Sequence, residues 1–92
     1  MYEIRTTRSY RKAYKRVSRH ENFRAAVLDA VVDALARGET LGPRHRDHQL
    51  TGSMREFREC HVERDILLVY QCRSDILVLV LVDIGSHSSL FG

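Results

Sequence analysis

Three histidines, one aspartate and one phenylalanine of this chain have side chains that could take part in catalysis. They are His48, His61, Asp65, His87 and Phe91. Histidine accepts or donates a proton near neutral pH because its unperturbed pKa is about 6.5. Attack of a ribose 2′-hydroxyl on the neighbouring phosphate needs a proton acceptor, a proton donor and positive charge beside the phosphate. These residues therefore suit the cleavage of RNA.

Two arginines and the aromatic ring complete this set. Arg46 and Arg64 lie close in sequence to two of the histidines and are the candidates for substrate binding through charge. Phe91 could hold a splayed base by stacking. Structural alternatives stay open, because Phe91 can also fill a core and His61 can be a hydrogen-bonded strand residue. We interpret His45 as a solvated loop histidine.

Metal binding and serine chemistry fit the sequence less well. The three candidate histidines have no compact ligand spacing, and no carboxylate cluster of the kind that holds Mg²⁺ is present. Ser86 and Ser88 lie in no nucleophile-elbow context. We therefore expect no metal and no cofactor, with a zinc-binding adaptor as an alternative.

The composition is that of a globular protein. The chain has 92 residues, of which 43% are hydrophobic and 29% charged, so we expect a single domain over residues 1–92. The longest apolar run, 76–82, is too short to span a membrane, and the N-terminus does not resemble a signal peptide. We expect a cytoplasmic protein whose Cys60 and Cys72 are small buried residues.

Basic residues are concentrated in the first half of the chain. Residues 1–48 carry eleven Lys or Arg against six acids, whereas residues 49–92 carry four against six. The basic half could contact RNA, DNA or an acidic protein. The alternative is a solvated helix face with no such partner.

The first half of the sequence predicts a strand and two helices. Tyr2–Thr6 alternates like a strand, and Thr7 or Ser9 can cap the helix that follows. That helix has an apolar stripe at helical spacing, Tyr10, Ala13, Tyr14 and Val17. The second helix is predicted to end at Gly38 and to bury Phe23, Ala26, Val27, Ala30, Val31, Ala34 and Leu35.

The second half of the sequence predicts a sheet. Gly42-Pro43 ends any helical pattern, and strands are predicted over 54–62, 66–72 and 76–82. The third strand is apolar throughout, which indicates a central position. The fold class is therefore α+β, with a strand, an antiparallel pair of helices, and a mainly antiparallel sheet of four to five strands that has the helices on one side.

The hairpin between the first two of these strands decides whether His61 and Asp65 can act together. A pairing such as 61 opposite 65 places both side chains on one face, whereas 62 opposite 65 separates them. Glu63-Arg64 lacks the Asn or Gly that two-residue turns prefer, so we predict the longer loop and a shared face. A plain structural hairpin is the alternative.

Four motif blocks resemble the YafQ branch of the RelE/ParE toxin superfamily. They are Asp47-His48-Gln49-Leu50-Thr51-Gly52, then Arg58-Glu59-Cys60-His61-Val62, then Asp65 with Leu67-Leu68-Val69-Tyr70, then Gly85-Ser86-His87-Ser88 with Leu90-Phe91. They occur in the family's order and spacing over residues 47–92, and the strand and two helices before them fit as well. The resemblance implies a RelE-like fold and the toxin of a type II toxin–antitoxin pair.

The resemblance also implies an activity and partners. Such toxins are metal-independent endoribonucleases that enter the ribosomal A site and cut mRNA during translation. The expected partner is a DinJ-like ribbon-helix-helix antitoxin, which blocks the toxin and joins it in binding operator DNA. No membrane partner is implied.

Residue roles carried over from the family concern the five catalytic candidates alone. The resemblance implies that His48 and His87 transfer protons, and it leaves open which of them is the base and which is the acid. His61 and Asp65 would orient or protonate the scissile phosphate, and Phe91 would position the base or the tail. Arg46 and Arg64 are not carried over, since they come from charge alone.

The chain departs from the family pattern near two of these blocks. Arg64 and Ile66 flank the aspartate where many relatives have Pro and Trp, and Asp83 occupies the place of a common arginine. An acid in place of a cation would weaken phosphate stabilisation or shift codon preference. The alternative function is therefore a catalytically weak or inactive module that binds an antitoxin or the ribosome.

Overall fold

The computed structural model describes residues 1–91 as an α+β fold built on a five-stranded sheet. The elements are β1 (Glu3–Thr6), α1 (Arg8–Val17), α2 (Ala25–Ala36), β2 (His48–Gln49), β3 (Arg58–Glu63), β4 (Ile66–Arg73), β5 (Val78–Gly85) and α3 (His87–Phe91). The strand order is β1-β5-β4-β3-β2, with β1 parallel to β5 and every other pair antiparallel. The predicted fold class is confirmed. Within residues 1–91, no helix is both long and apolar enough to cross a membrane.

Helix α1 begins and packs as its sequence predicts. The Thr7 hydroxyl accepts a hydrogen bond from the Tyr10 amide at 3.0 Å, which satisfies one of the free amides of the first turn. Tyr10, Ala13 and Val17 are buried, while Tyr14 is half-buried. Its basic side chains lie on the exposed face, as the amphipathic pattern requires.

Helix α2 buries a face that only partly overlaps the predicted one, since Val31 and Leu35 are buried as predicted. Ala26 and Ala30 are exposed, whereas Leu28 and Val32 are buried together with Val31. Because the stabilisation from burial scales with the apolar area removed from water, the helix turns its larger side chains inward. Three other predictions fail locally, because Cys72 is exposed, the strand predicted to begin at Met54 begins at Arg58, and the strand predicted to begin at Ile76 begins at Val78.

One face of the sheet, here called the helix-covered face, packs against α1 and α2. Its buried members include Cys60, Leu68, Tyr70, Leu79 and Ile84. Side chains alternate along a strand, so the residues between them point to the opposite face. The opposite face is therefore the one that carries Glu59, His61, Leu67 and Val69.

Two β-bulges change this alternation near the ends of strands. One lies between His61 and Glu63, and it turns Glu63 to the helix-covered face, where its carboxylate pairs with Arg24. The other lies in β5, because Val69 pairs with Asp83 whereas the next residue, Tyr70, pairs with Leu81. Val82 is therefore the extra residue, and Asp83 and Gly85 point to the opposite face.

Candidate active site

The strand register brings candidate residues together in two rows across the opposite face. The rows, read from neighbour to neighbour, are His48–Glu59–Val69–Asp83 and His61–Leu67–Gly85. Directly paired residues have Cα atoms roughly 4.5–5.5 Å apart. Leu67 and Val69 form a buried apolar centre, at 2% and 1% exposure, and the titratable side chains surround it.

His48 is held in one orientation on this face. Its Nδ1 lies 2.7 Å from the backbone oxygen of Arg46. A carbonyl oxygen can only accept, so Nδ1 must carry the proton of this hydrogen bond. Nε2 is then the nitrogen available for proton transfer, and it lies 3.8 Å from Oε1 of the buried Glu59. A positive charge formed on the ring would be stabilised by that carboxylate.

His45 is buried, so its interpretation as a solvated loop histidine is wrong. Its Nδ1 donates to the backbone oxygen of His61 at 2.6 Å, and Arg44 Nε donates to its Nε2 at 3.4 Å. The neutral ring satisfies both bonds at once. This histidine therefore ties the segment before β2 to β3 and has no free nitrogen for catalysis.

His61, Arg46 and Arg64 line one cleft of 530 Å³, here called the basic cleft. Arg24 and Arg44 also line it, and Glu63 is its acidic member. Within residues 1–91, Arg46 and Arg64 form no ion pair, whereas Arg24 is paired with Glu63. Arg46 and Arg64 also have positive φ values, 45° and 49°, which are uncommon for residues with a side chain. The cleft is suited to an anion.

The turn between β3 and β4 is shorter than predicted. His61 pairs with Leu67, and Glu63 pairs with Ile66, so the turn contains only Arg64 and Asp65. The three-residue loop is therefore wrong. The bulge and the left-handed conformation of Arg64 together allow a tight turn without Asn or Gly.

Asp65 lies outside the basic cleft, and it belongs to the turn rather than to either strand. It lines a separate cleft of 180 Å³ together with Ser86 and Ser89 of the C-terminal segment and with His20, which follows α1. The structure therefore brings His61 together with the arginines, and Asp65 together with the segment around α3.

His87 and Phe91 lie one turn apart on α3, with ring centroids 5.6 Å apart. Both side chains are exposed. Helix α3 folds back closely on β5, because a Cβ atom on Gly85 would lie 2.5 Å from Ser89 Oγ and 3.6 Å from Leu90 side-chain atoms. Gly85 points to the opposite face, so α3 lies on that side of the sheet. Phe91 does not fill the core.

Glu59 also belongs to this candidate site, although it is not among the residues predicted from the sequence. It precedes His61 by two residues, so strand alternation alone places both on one face. Its pairing with His48 could not be foreseen, because β2 contains only two residues and has no apolar pattern. Within residues 1–91, no group of three or more His, Cys, Asp or Glu side chains is placed to hold a metal ion.

A RelE-like fold with histidines on the opposite face of its sheet is typical of a class of bacterial toxins. Comparison with known proteins identifies the family. Residues 2–92 match the model of the family described as the bacterial toxin of the type II toxin–antitoxin system, YafQ. The chain therefore belongs to the YafQ toxin family.

Individual relatives agree with this assignment. The mRNA interferase toxin YafQ of Escherichia coli K12 is 38% identical over 48 residues, which is 52% of this chain and 50% of that protein. A metal-bound toxin from Helicobacter pylori is 41% identical, with a TM-score of 0.90 over 99% of this chain and all of that one. YafQ in the E. coli DinJ–YafQ complex is 26% identical, with a TM-score of 0.86 over both chains in full.

Proposed function

We propose that residues 1–92 form a single toxin domain that acts in the cytoplasm as a ribosome-dependent mRNA endoribonuclease. The observation that carries this proposal is the orientation of His48, whose Nδ1 donates to Arg46 and whose Nε2 is left free beside Glu59. The basic cleft lies next to the same segment through Arg46. The mRNA interferase name of the E. coli relative, which aligns over about half its length, supports this activity.

The geometry supports His48 as the general base. Its Nε2 would take the proton of the ribose 2′-hydroxyl while the 2′-oxygen attacks phosphorus, and Glu59 would stabilise the imidazolium. His87 would donate a proton to the 5′-oxygen as its bond to phosphorus breaks. The products are a 2′,3′-cyclic phosphate and a 5′-hydroxyl, so atoms and protons balance.

The remaining candidates would bind the scissile phosphate or position the reacting groups. Arg46, Arg64 and His61 would place positive charge and a hydrogen-bond donor beside its oxygens. Asp65 would orient the segment that carries His87, because it lines a cleft with Ser86 and Ser89. Phe91 would stack on a base. No step requires a metal ion.

The proposed partners are an antitoxin and the translating ribosome. The E. coli relative has been solved in complex with DinJ. We expect a DinJ-like ribbon-helix-helix antitoxin for this chain, and operator DNA contacts only through the toxin–antitoxin complex.

Addition of purified protein to a translation reaction, with mapping of mRNA 5′ ends, tests the activity. We expect cleavage by the wild type and by a Ser74→Ala, Asp75→Ala control, which changes the turn before β5. Cleavage should be lost in a His61→Ala, His87→Ala variant that remains folded, and should persist with a chelator of transition metals. Undiminished cleavage by the double variant would refute the assigned site.

A catalytically weak module is the second candidate function, and Asp83 is the observation that favours it. Its half-buried carboxylate lies on the opposite face, in the row of Glu59 and Val69, where it adds negative charge near an anionic substrate. An Asp83→Asn variant should then cleave faster than the wild type. Ribosome binding with little cleavage by the wild type, together with clear cleavage by Asp83→Asn, would favour this second candidate.

A further inference from the structure

Asp47 lies next to His48 in sequence, but its side chain is bonded on the other side of the sheet. Its Oδ1 accepts hydrogen bonds from Tyr70 Oη at 2.6 Å and from Arg58 Nε at 3.3 Å. Tyr70 is buried in the helix-covered core, and Arg58 pairs with it directly across β3 and β4. Burial, followed by the hydrogen bond to Asp47, raises the pKa of Tyr70, so the phenol remains a donor.

The segment around Asp47 has little backbone pairing of its own. Strand β2 contains only His48 and Gln49. Arg46, which precedes Asp47 and supplies the carbonyl that orients His48, has a φ of 45°. A residue with a side chain persists in this conformation only where the surroundings hold it. Besides the short β2–β3 pairing and the bond from His45 to the His61 backbone oxygen, the side-chain bonds of Asp47 link this segment to the core.

We propose that Asp47 and Tyr70 are positioning residues for His48. The Tyr70–Asp47 bond holds residue 47 on the helix-covered face, so that strand alternation directs His48 to the opposite face and keeps the Arg46 carbonyl against its ring. The catalytic consequence rests on the function proposed above. The structural consequence, a fixed His48 ring, does not.

Tyr70→Phe removes the hydroxyl alone, and Tyr10→Phe is the matched control. Tyr10 is also a buried tyrosine of the same core, and its hydroxyl makes no hydrogen bond within residues 1–91. We expect Tyr70→Phe to lower kcat about tenfold, and Asp47→Ala up to about 100-fold, with little change in KM, because misplacing a catalytic group slows the chemical step. Tyr10→Phe should leave kcat unchanged.

Two further variants separate positioning from general destabilisation. Asp47→Asn keeps an oxygen that can accept from Tyr70, so it should recover most of the kcat lost in Asp47→Ala. Tyr70→Phe should have no further effect in the Asp47→Ala background, because both changes break the same bond. Equal kcat for Tyr70→Phe and Tyr10→Phe, or additive losses in the double variant, would overturn the proposal.

A measurement that does not depend on activity keeps this proposal distinct from the proposed function. In ¹⁵N NMR of the neutral His48 ring, the wild type and Tyr10→Phe should show a protonated Nδ1 and an unprotonated Nε2. Folded Asp47→Ala should show averaged signals. A wild-type pattern in Asp47→Ala refutes positioning, whereas the expected pattern with no mRNA cleavage by the wild type refutes only the proposed function.

Discussion

The two faces of the sheet differ in what their polar groups do. On the helix-covered face, the half-buried Asp47 accepts hydrogen bonds from Tyr70 in the core and from the half-buried Arg58. On the opposite face, His48 is exposed, and its Nε2 lies 3.8 Å from Oε1 of the buried Glu59, which is beyond hydrogen-bond distance.

This difference shows how a small fold separates stability from chemistry. Buried polar groups that satisfy one another stabilise a unique arrangement, whereas a site must leave a donor or acceptor free for substrate. The shared strands connect the two faces, since neighbouring residues such as Asp47 and His48 point in opposite directions. Substitutions on each face test this division between stability and chemistry.

The largest expected effect is on stability, from Leu79→Ala in β5. Leu79 is fully buried on the helix-covered face, so the truncation should lower the free energy of unfolding by about 2–5 kcal/mol. His61→Ala on the opposite face should lower it by less than about 1 kcal/mol. Urea denaturation followed by circular dichroism measures both. Similar losses for the two variants would mean that the faces do not divide stability in this way.

The second expected effect is on activity, from Gly85→Ala. The added Cβ would lie 2.5 Å from Ser89 Oγ, so either this hydroxyl leaves its bond to the Ser86 oxygen or α3 shifts together with His87 and Phe91. We expect mRNA cleavage to fall by up to about 100-fold, because small displacements of catalytic groups slow reactions strongly. Ser89→Ala removes the clashing atom and should restore much of the rate. Undiminished cleavage by Gly85→Ala would show that α3 does not need the close contact, and a loss that Ser89→Ala does not restore would show that the clash with Ser89 is not its cause.

The sequence was sufficient for the fold wherever a strong local pattern occurs. The Thr7 cap, the stripe of α1 and strand β4 are all where the pattern puts them. It was insufficient where two patterns compete, as in α2, where an alanine stripe and a stripe of larger residues overlap. Ile76 and Leu77 also continue an apolar run but lie in a turn, with Leu77 at a φ of 54°.

The candidate residues could be named from the sequence, but their arrangement could not. The motif blocks identify the histidines, whereas the bulges beside His61 and before Asp83 decide which side chains share a face. A bulge adds one residue to one strand without a distinctive residue type here, so alternation counted along the sequence fails beyond it. The same reason explains the wrong loop length at Asp65.

A smaller effect distinguishes the two cysteines. Cys60 is fully buried in the helix-covered core, and burial raises its pKa to about 12, whereas Cys72 is exposed. Because the thiolate is the reactive form, a thiol reagent should label one cysteine in the native protein and both in denaturant. Native labelling should be lost in Cys72→Ser. Rapid native labelling of Cys60 in that variant would show that this face opens readily.

The smallest expected effect is the pH dependence of the Arg24–Glu63 pair at the edge of the two faces. Arg24 donates to the Glu63 carboxylate from Nε at 3.2 Å, and this bond, with the positive charge, holds the pKa of Glu63 below its ordinary value of 4.5. A lowered folded pKa means that the stabilisation is present above the unfolded pKa and is lost as the pH falls through the folded one. Glu63→Gln should therefore be less stable than the wild type near about pH 7 and equally stable at about pH 2. Glu21→Gln, an exposed control, should show no such difference in urea denaturation, and a Glu63→Gln deficit that persists in acid would mean that the pair acts through packing rather than charge.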